Sequence, residues 1–298
     1  MTPMLSRILK ALCSVMAAVL LSACGASSTV DPFHPTRVVG LGDGYNDIAT
    51  AAGGASPTVR EGAGTTGSVV EQIAAYFGQT NVVSYASNGK KIADLASQIS
   101  SVGGFSAGDL VVITVGTHDV IAGTNLTSAK SDLVAAVQSL LGAGVKHVLI
   151  MPVLEVSLTP WGRRASFDAA ATNAFNDGIL TVLSTTFGGQ SANKVIYANT
   201  SGLTVAFRNA TSIALASSPF TDTGFGATTD PACGNSSIGS IVDTSPFTTA
   251  SAAWVGCPMG SANTSYTTML FADGIHLTPA GNRWAAGFLY NATAAGWR

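Results

Sequence analysis

The stretch Leu110-Val111-Val112-Ile113-Thr114-Val115 is almost continuously apolar and β-branched. A strand wetted on one face alternates polar and apolar residues, so a run without alternation belongs to a sheet covered on both faces. The run stops at Gly116-Thr117-His118-Asp119, a polar cluster at a strand's carboxyl end. Four further strands are expected: one beginning at Val38, then Asn81 to Ala86, which mixes apolar and polar residues, Lys146 to Met151, and Lys194 to Ala198. Between them, apolar residues recur at helical spacing over Val69–Phe77, Ile92–Ile99, Ser128–Leu141 and Ala165–Phe187, and a last helix is expected from about Asn282 to Ala295. Ser68 and Glu71 fit a capping box before the first helix, with Gly78 as its stop. Strands alternating with helices predict a parallel, doubly wound sheet.

In such sheets ligands collect beyond the carboxyl ends of the strands. The run from Val38 ends there in Gly42-Asp43-Gly44-Tyr45-Asn46-Asp47. Read alone, this stretch is either a tight turn, in which Gly supplies unusual dihedrals and Asp or Asn bonds its own backbone, or part of a site. The Gly/Ala/Ser/Thr-rich stretch from Ile48 to Thr66 reads as a surface loop at the same edge.

Charged residues make up only 10% of the 298 and apolar residues 47%, enough for one large core and too few charges for a disordered chain. One α/β domain over residues 36–298 is expected, because folds of this class often run to roughly 250 residues undivided. Residues 1–23 stand apart, with Arg7 and Lys10 ahead of the apolar stretch Ala11 to Leu21. That is the pattern of a secretory signal, its apolar stretch too short for the roughly 20 residues of a spanning helix. Leu21-Ser22-Ala23-Cys24 resembles the bacterial lipobox, which implies lipidation of Cys24 and a Ser-rich tether over residues 24–35. Gly25 is not the aspartate associated with inner-membrane retention, so the resemblance implies the outer membrane, facing the periplasm or the outside. Losing the signal removes two of the 14 basic residues and none of the 16 acidic ones, leaving a net charge of −4. Nucleic-acid partners need a basic patch, and none is present. With Cys13 in the signal and Cys24 lipidated, Cys233 and Cys257 remain as an expected disulfide in an oxidising compartment. No CxxC or His cluster accompanies them, so neither a metal nor any other cofactor is expected.

Near the end, Asp273 and His276 lie three apart just before a helix, a spacing at which a carboxylate can hold an imidazole as a proton acceptor. Taken with the turn at Gly42–Asp47, Gly89 after the second strand and Gly116–Asp119 after the third, the order resembles the SGNH/GDSL hydrolase superfamily. Ser218–Phe225, Pro231-Ala232-Cys233 and Phe271–Thr278 resemble its secreted phospholipase and haemolysin-like branch. The resemblance implies a flavodoxin-like three-layer α/β/α sandwich with a mainly parallel sheet, and an esterase, lipase or acylhydrolase activity. It implies His276 as the base and Asp273 as its orienter, with Asp43 and Asp119 lining the cleft. It also implies an oxyanion hole at Gly89 and at the third-block position, where the family carries asparagine and this chain carries His118.

The largest departure is at the first block, where the nucleophilic serine is replaced by Gly44. A neutral His118 could still donate to an oxyanion; nothing at Gly44 replaces a hydroxyl. Ser84 and Ser87 stand near the second strand's end, and a water activated by His276 is another route to hydrolysis. Three readings stay open: an envelope ester hydrolase of weakened or unconventional mechanism, a non-catalytic lipoprotein binding an acyl or sugar ester in the retained cleft, and a purely structural envelope protein.

Overall fold

The computed structural model describes residues 33–48, 67–188, 194–198, 227–231, 269–272 and 274–297. The signal, Cys24, most of the tether and of the Ile48–Thr66 loop, Ser218–Phe225, Cys233, Cys257 and Asp273 lie outside these residues. His34–Trp297 form one compact unit; the other comprises Met1–Phe33 and Arg298, of which only Phe33 is among the described residues.

Five strands, β1 (Arg37–Gly42), β2 (Val82–Ser84), β3 (Asp109–Thr114), β4 (His147–Met151) and β5 (Val195–Tyr197), form one sheet in the order β2-β1-β3-β4-β5. Every pairing is parallel. The chain starts in the middle and winds outward both ways, so the switch in winding direction falls between β1 and β3. All six residues of β3 are buried, as its unbroken apolar run requires. At the amino end of this strand pair, Arg37 and Asp109 are register partners and form a two-pronged ion pair, Nε to Oδ1 at 3.1 Å and Nη2 to Oδ2 at 2.6 Å. Burial alone would raise the Asp109 pKa; hydrogen bonds from Arg37 and Ser106 outweigh it and hold the carboxyl below its ordinary value.

Alternate residues of the strands face opposite ways. Val39, Leu41, Val111, Ile113, Val148 and Ile150 join one core with α2 (Leu95–Ser101), α4 (Leu126–Gly142) and α6 (Ala169–Phe187). The intervening Val38, Leu110, Val112 and Leu149 are equally buried. On that side α1 (Val69–Tyr76) packs against α7 (Pro279–Gly296), whose contacts reach β4 and β5. The result is the expected three-layer α/β/α sandwich.

The helix boundaries depart from the sequence expectations where side chains capture backbone N–H groups. The helix expected from Ala165 starts instead at Ala169, as α6, because Ser166 adopts a φ of 50° and the Asp168 carboxylate caps Ala170 N at 2.9 Å; a short helix outside the sequence expectations, α5 (Pro160–Arg164), precedes it. Helix α7 begins at Pro279 rather than near Asn282, since Thr278 Oγ1 accepts from Gly281 N at 3.0 Å and Pro279 suits the first helical position. A short helix, α3 (Thr117–Ile121), carries the polar cluster that follows β3. Two further strands, β6 (Ala227–Pro231) and β7 (Met269–Phe271), pair in parallel with each other. The Ser68–Glu71 box is present, Glu71 Oε2 accepting from Ser68 N at 3.0 Å.

Candidate active site

The turn after β1 is held from several sides before any chemistry is considered. Gly42 has a φ of 111°, and a side chain there would collide with the Thr114 carbonyl of β3, so only glycine fits. Its amide groups are taken by one buried side chain: Gly42 N donates to Gln98 Oε1 at 2.6 Å, and Gln98 Nε2 donates to Gly42 O at 2.8 Å. Asn46 Nδ2 bridges the carbonyls of Leu41 (3.0 Å) and Val112 (2.9 Å), tying β1 to β3. Tyr45 Oη donates to Ile275 O at 2.6 Å, which fixes the late His276 segment to the opening turn across 230 positions of sequence. That segment is itself a tight return, with a bridge between Phe271 and Leu277 and Ala272 N donating to His276 O at 2.8 Å.

These ties bring most of the sequence-selected residues together. The His276 ring lies 5.5 Å from that of Tyr45 and 6.4 Å from that of His118. Gly44 sits inside the same turn, between Asp43 and Tyr45, and is buried. Gly44 is not among the glycines with positive φ, so its backbone would accept an L side chain. Asp273 lies outside the described residues, and its relation to His276 stays as the resemblance implies it.

The loop after β2, Asn88 to Ile92, takes three bonds from the other two turns. Asn88 N donates to Asp47 Oδ2 at 3.2 Å, Gly89 N to His118 Nε2 at 3.3 Å, and Ile92 N to Asp119 Oδ2 at 3.0 Å. Gly89 and His118, expected to serve side by side as oxyanion donors, are therefore bonded to each other. Asp43 and Asp119 were expected to line the cleft; both are buried at 1% exposure, Asp119 bonded to the Ile92 backbone and Asp43 Oδ1 accepting from Tyr45 N at 3.2 Å. Among the described residues, Asp43 Oδ2 and Asn46 Oδ1 are buried acceptors with no hydrogen-bond partner. Burial and the nearby charge of Asp119 raise the Asp43 pKa to about 7 against the opposing pull of His276 and the Tyr45 N–H. Burial, with His276 and Lys91 nearby, pushes His118 down to about 3, so it is a neutral imidazole.

Of the alternative hydroxyls, that of Ser84 is engaged by the backbone. Ser84 Oγ donates to Asn46 O at 2.6 Å and accepts from Ala86 N at 3.2 Å, a structural use within the β2 end. Ser87 belongs to the turn, its N–H on Gly42 O at 3.1 Å. Sequence reading missed Gln98: it stands in an ordinary amphipathic helix, and only its burial within that helix marks it. Among the described residues no group of His, Cys, Asp and Glu is arranged to hold a metal ion.

A family model described as GDSL-like Lipase/Acylhydrolase matches residues 38–288. Similar solved structures include an acetylxylan esterase from Geobacillus stearothermophilus, at 16% identity over 60% of this chain and 82% of that one, with a TM-score of 0.43. Others are the acetyl xylan esterase AlAXEase (15%, covering 86% and 98%, TM-score 0.46) and an alpha/beta hydrolase enzyme from the metagenome of Lake Arreo, Spain (14%, 88% and 94%, TM-score 0.47). No curated protein matches the sequence.

Asp43 gives the site a measurable pH signature. A carboxyl whose folded pKa is raised contributes stability in full below its unfolded value near 3.8, and loses it as pH rises through about 7. The Asp43→Asn variant lacks this loss, so its melting temperature relative to wild type should climb between pH 4 and pH 8. A difference that stays flat or falls over that window contradicts the burial of an ionisable Asp43.

Proposed function

This chain belongs to the GDSL-like lipase/acylhydrolase family, and we propose that it is an ester-hydrolase-type lipoprotein of the cell envelope whose serine-dependent esterase activity is weak or lost. The observation that carries this reading is Gly44: the turn that presents the nucleophile in the family is built and buried beside His276, yet offers no hydroxyl. A serine hydrolase stripped of its nucleophile keeps only about 10³ to 10⁴ of rate over water, from binding and oxyanion stabilisation.

His276 retains the position of the family's base, and Asp273 that of its orienter. Any residual hydrolysis then runs through a water deprotonated by the imidazole, which attacks the ester carbonyl and expels the alcohol; the proton carried by His276 goes to the leaving oxygen. The ligand is an acyl or acetyl ester of a lipid or a polysaccharide. A second reading, a non-catalytic binder of such an ester, is favoured by His118, which stands where the family carries an asparagine donor.

The anchor is part of the proposal. Lipidation of Cys24 would hold the folded unit at the outer membrane through its tether, and no helix among the described residues is long and apolar enough to cross a membrane. Expressed in a Gram-negative host, the wild type should fractionate with membranes and Cys24→Ala should be released in soluble form; equal membrane retention of both contradicts the anchor.

Turnover of an activated short-chain acetyl ester tests the catalytic half. Wild-type protein should run orders of magnitude below the ordinary enzymatic range of about 1 to 10³ s⁻¹, and Gly44→Ser should exceed it. Wild-type turnover within that range overturns the reading.

A further inference from the structure

We infer that His118 silences the oxyanion-binding capacity of this site by occupying the Gly89 N–H, so that the chain has lost two parts of its ancestral chemistry through separate devices. The inference rests on the reading that this site descends from an ester-hydrolase site, and extends it from the missing nucleophile to the donor that would face the substrate carbonyl.

The geometry is that of donor and acceptor within one part-buried contact. Gly89 N lies 3.3 Å from His118 Nε2, and an imidazole nitrogen accepts a hydrogen bond only when it carries no proton. The proton of a neutral ring that accepts at Nε2 sits on Nδ1, so Gly89's hydrogen and the ring's acceptor satisfy one another. His118 is 3% exposed, and its burial holds it neutral at any physiological pH. An asparagine at this position can turn its NH₂ toward a ligand while leaving the neighbouring amide free; the histidine instead turns an acceptor toward that amide.

The contact is held on both sides. Asp47 takes the N–H of Asn88 and Asp119 takes that of Ile92, so the loop cannot swing away from the α3 turn without losing two further bonds. Asp119 is also the residue next to His118, which couples the anchor and the cap through one short helix. Tetrahedral oxygen binding at Gly89 must therefore displace His118, and loss of one such donor typically costs about 10² to 10³ in rate.

Two measurements on the full chain decide the matter. In the Gly44→Ser background, which supplies a hydroxyl, covalent labelling by a fluorophosphonate probe should proceed at least tenfold faster when His118→Ala or His118→Asn is added, because Gly89 is then free to bind the phosphonyl oxygen. Labelling no faster than in Gly44→Ser alone overturns the inference, and slower labelling in both would make His118 itself a donor. Independently, amide hydrogen exchange at Gly89 should accelerate at least tenfold in His118→Ala, while Asn88 and Ile92 keep their wild-type exchange; unchanged exchange at Gly89 also overturns it. Should Gly44→Ser never be labelled, the hydrolase-derived reading of the preceding subsection fails, and the exchange at Gly89 still tells whether His118 holds that donor.

Discussion

Backbone N–H groups with no partner in their own helix or strand must find acceptors, and in this protein Asn88, Gly89 and Ile92, the last opening a single 3-10 turn, find them on side chains from the other two strand ends. Asp47 comes from the turn after β1; His118 and Asp119 come from the turn after β3. Each such bond contributes only about 0.5–1.5 kcal/mol net, but leaving a buried donor unmade costs more than the bond supplies. The three turns at the switch point of the sheet are therefore one unit. A site assembled this way has fixed geometry before any ligand arrives, and its residues cannot be exchanged singly without reaching the loop.

The opening turn depends on the same principle. Gly42 must be glycine to approach Thr114, and its N–H and carbonyl both take bonds from outside the β1–β3 pair. Gln98 satisfies the two together from a helix fifty-six residues later. Tyr45 then reaches Ile275, so the turn at the start of the domain and the return at its end share one hydrogen bond. Gly44 lies at the centre of this framework. On the reading proposed above, the scaffold that would orient a serine is kept while the serine is not, which would separate the fold's requirements from those of the reaction.

Much of this was legible in sequence, for reasons that differ by element. The unbroken apolar run of β3 announced a strand covered on both faces, and alternation with helical spacing announced the parallel winding. Gly42 and His118 stood out because polar and glycine residues clustered where strands end, His276 because it lies three residues after Asp273 just before a helix, and Gly89 through the family resemblance. Other features follow from choices made by individual side chains in three dimensions. Asp168 stops a helix that periodicity alone would carry back to Ala165, because its carboxylate competes for an N–H. Gln98 has no local signature, since its partner is a backbone group brought near only by folding. The pairing of Gly89 with His118 was equally hidden: sequence order places both residues at the carboxyl edge, but which nitrogen accepts from which amide is decided by the packing of α3.

On the proposed reading, the chain is an ester-hydrolase scaffold whose nucleophile position is Gly44, with the Ser84 hydroxyl engaged by the Asn46 carbonyl. The most direct measurement is the intact mass of the wild-type protein after prolonged exposure to a serine-directed fluorophosphonate, with peptide mapping of any adduct. The account predicts an unshifted mass. A stoichiometric adduct on any serine of the folded domain, Ser84 and Ser87 included, would contradict it.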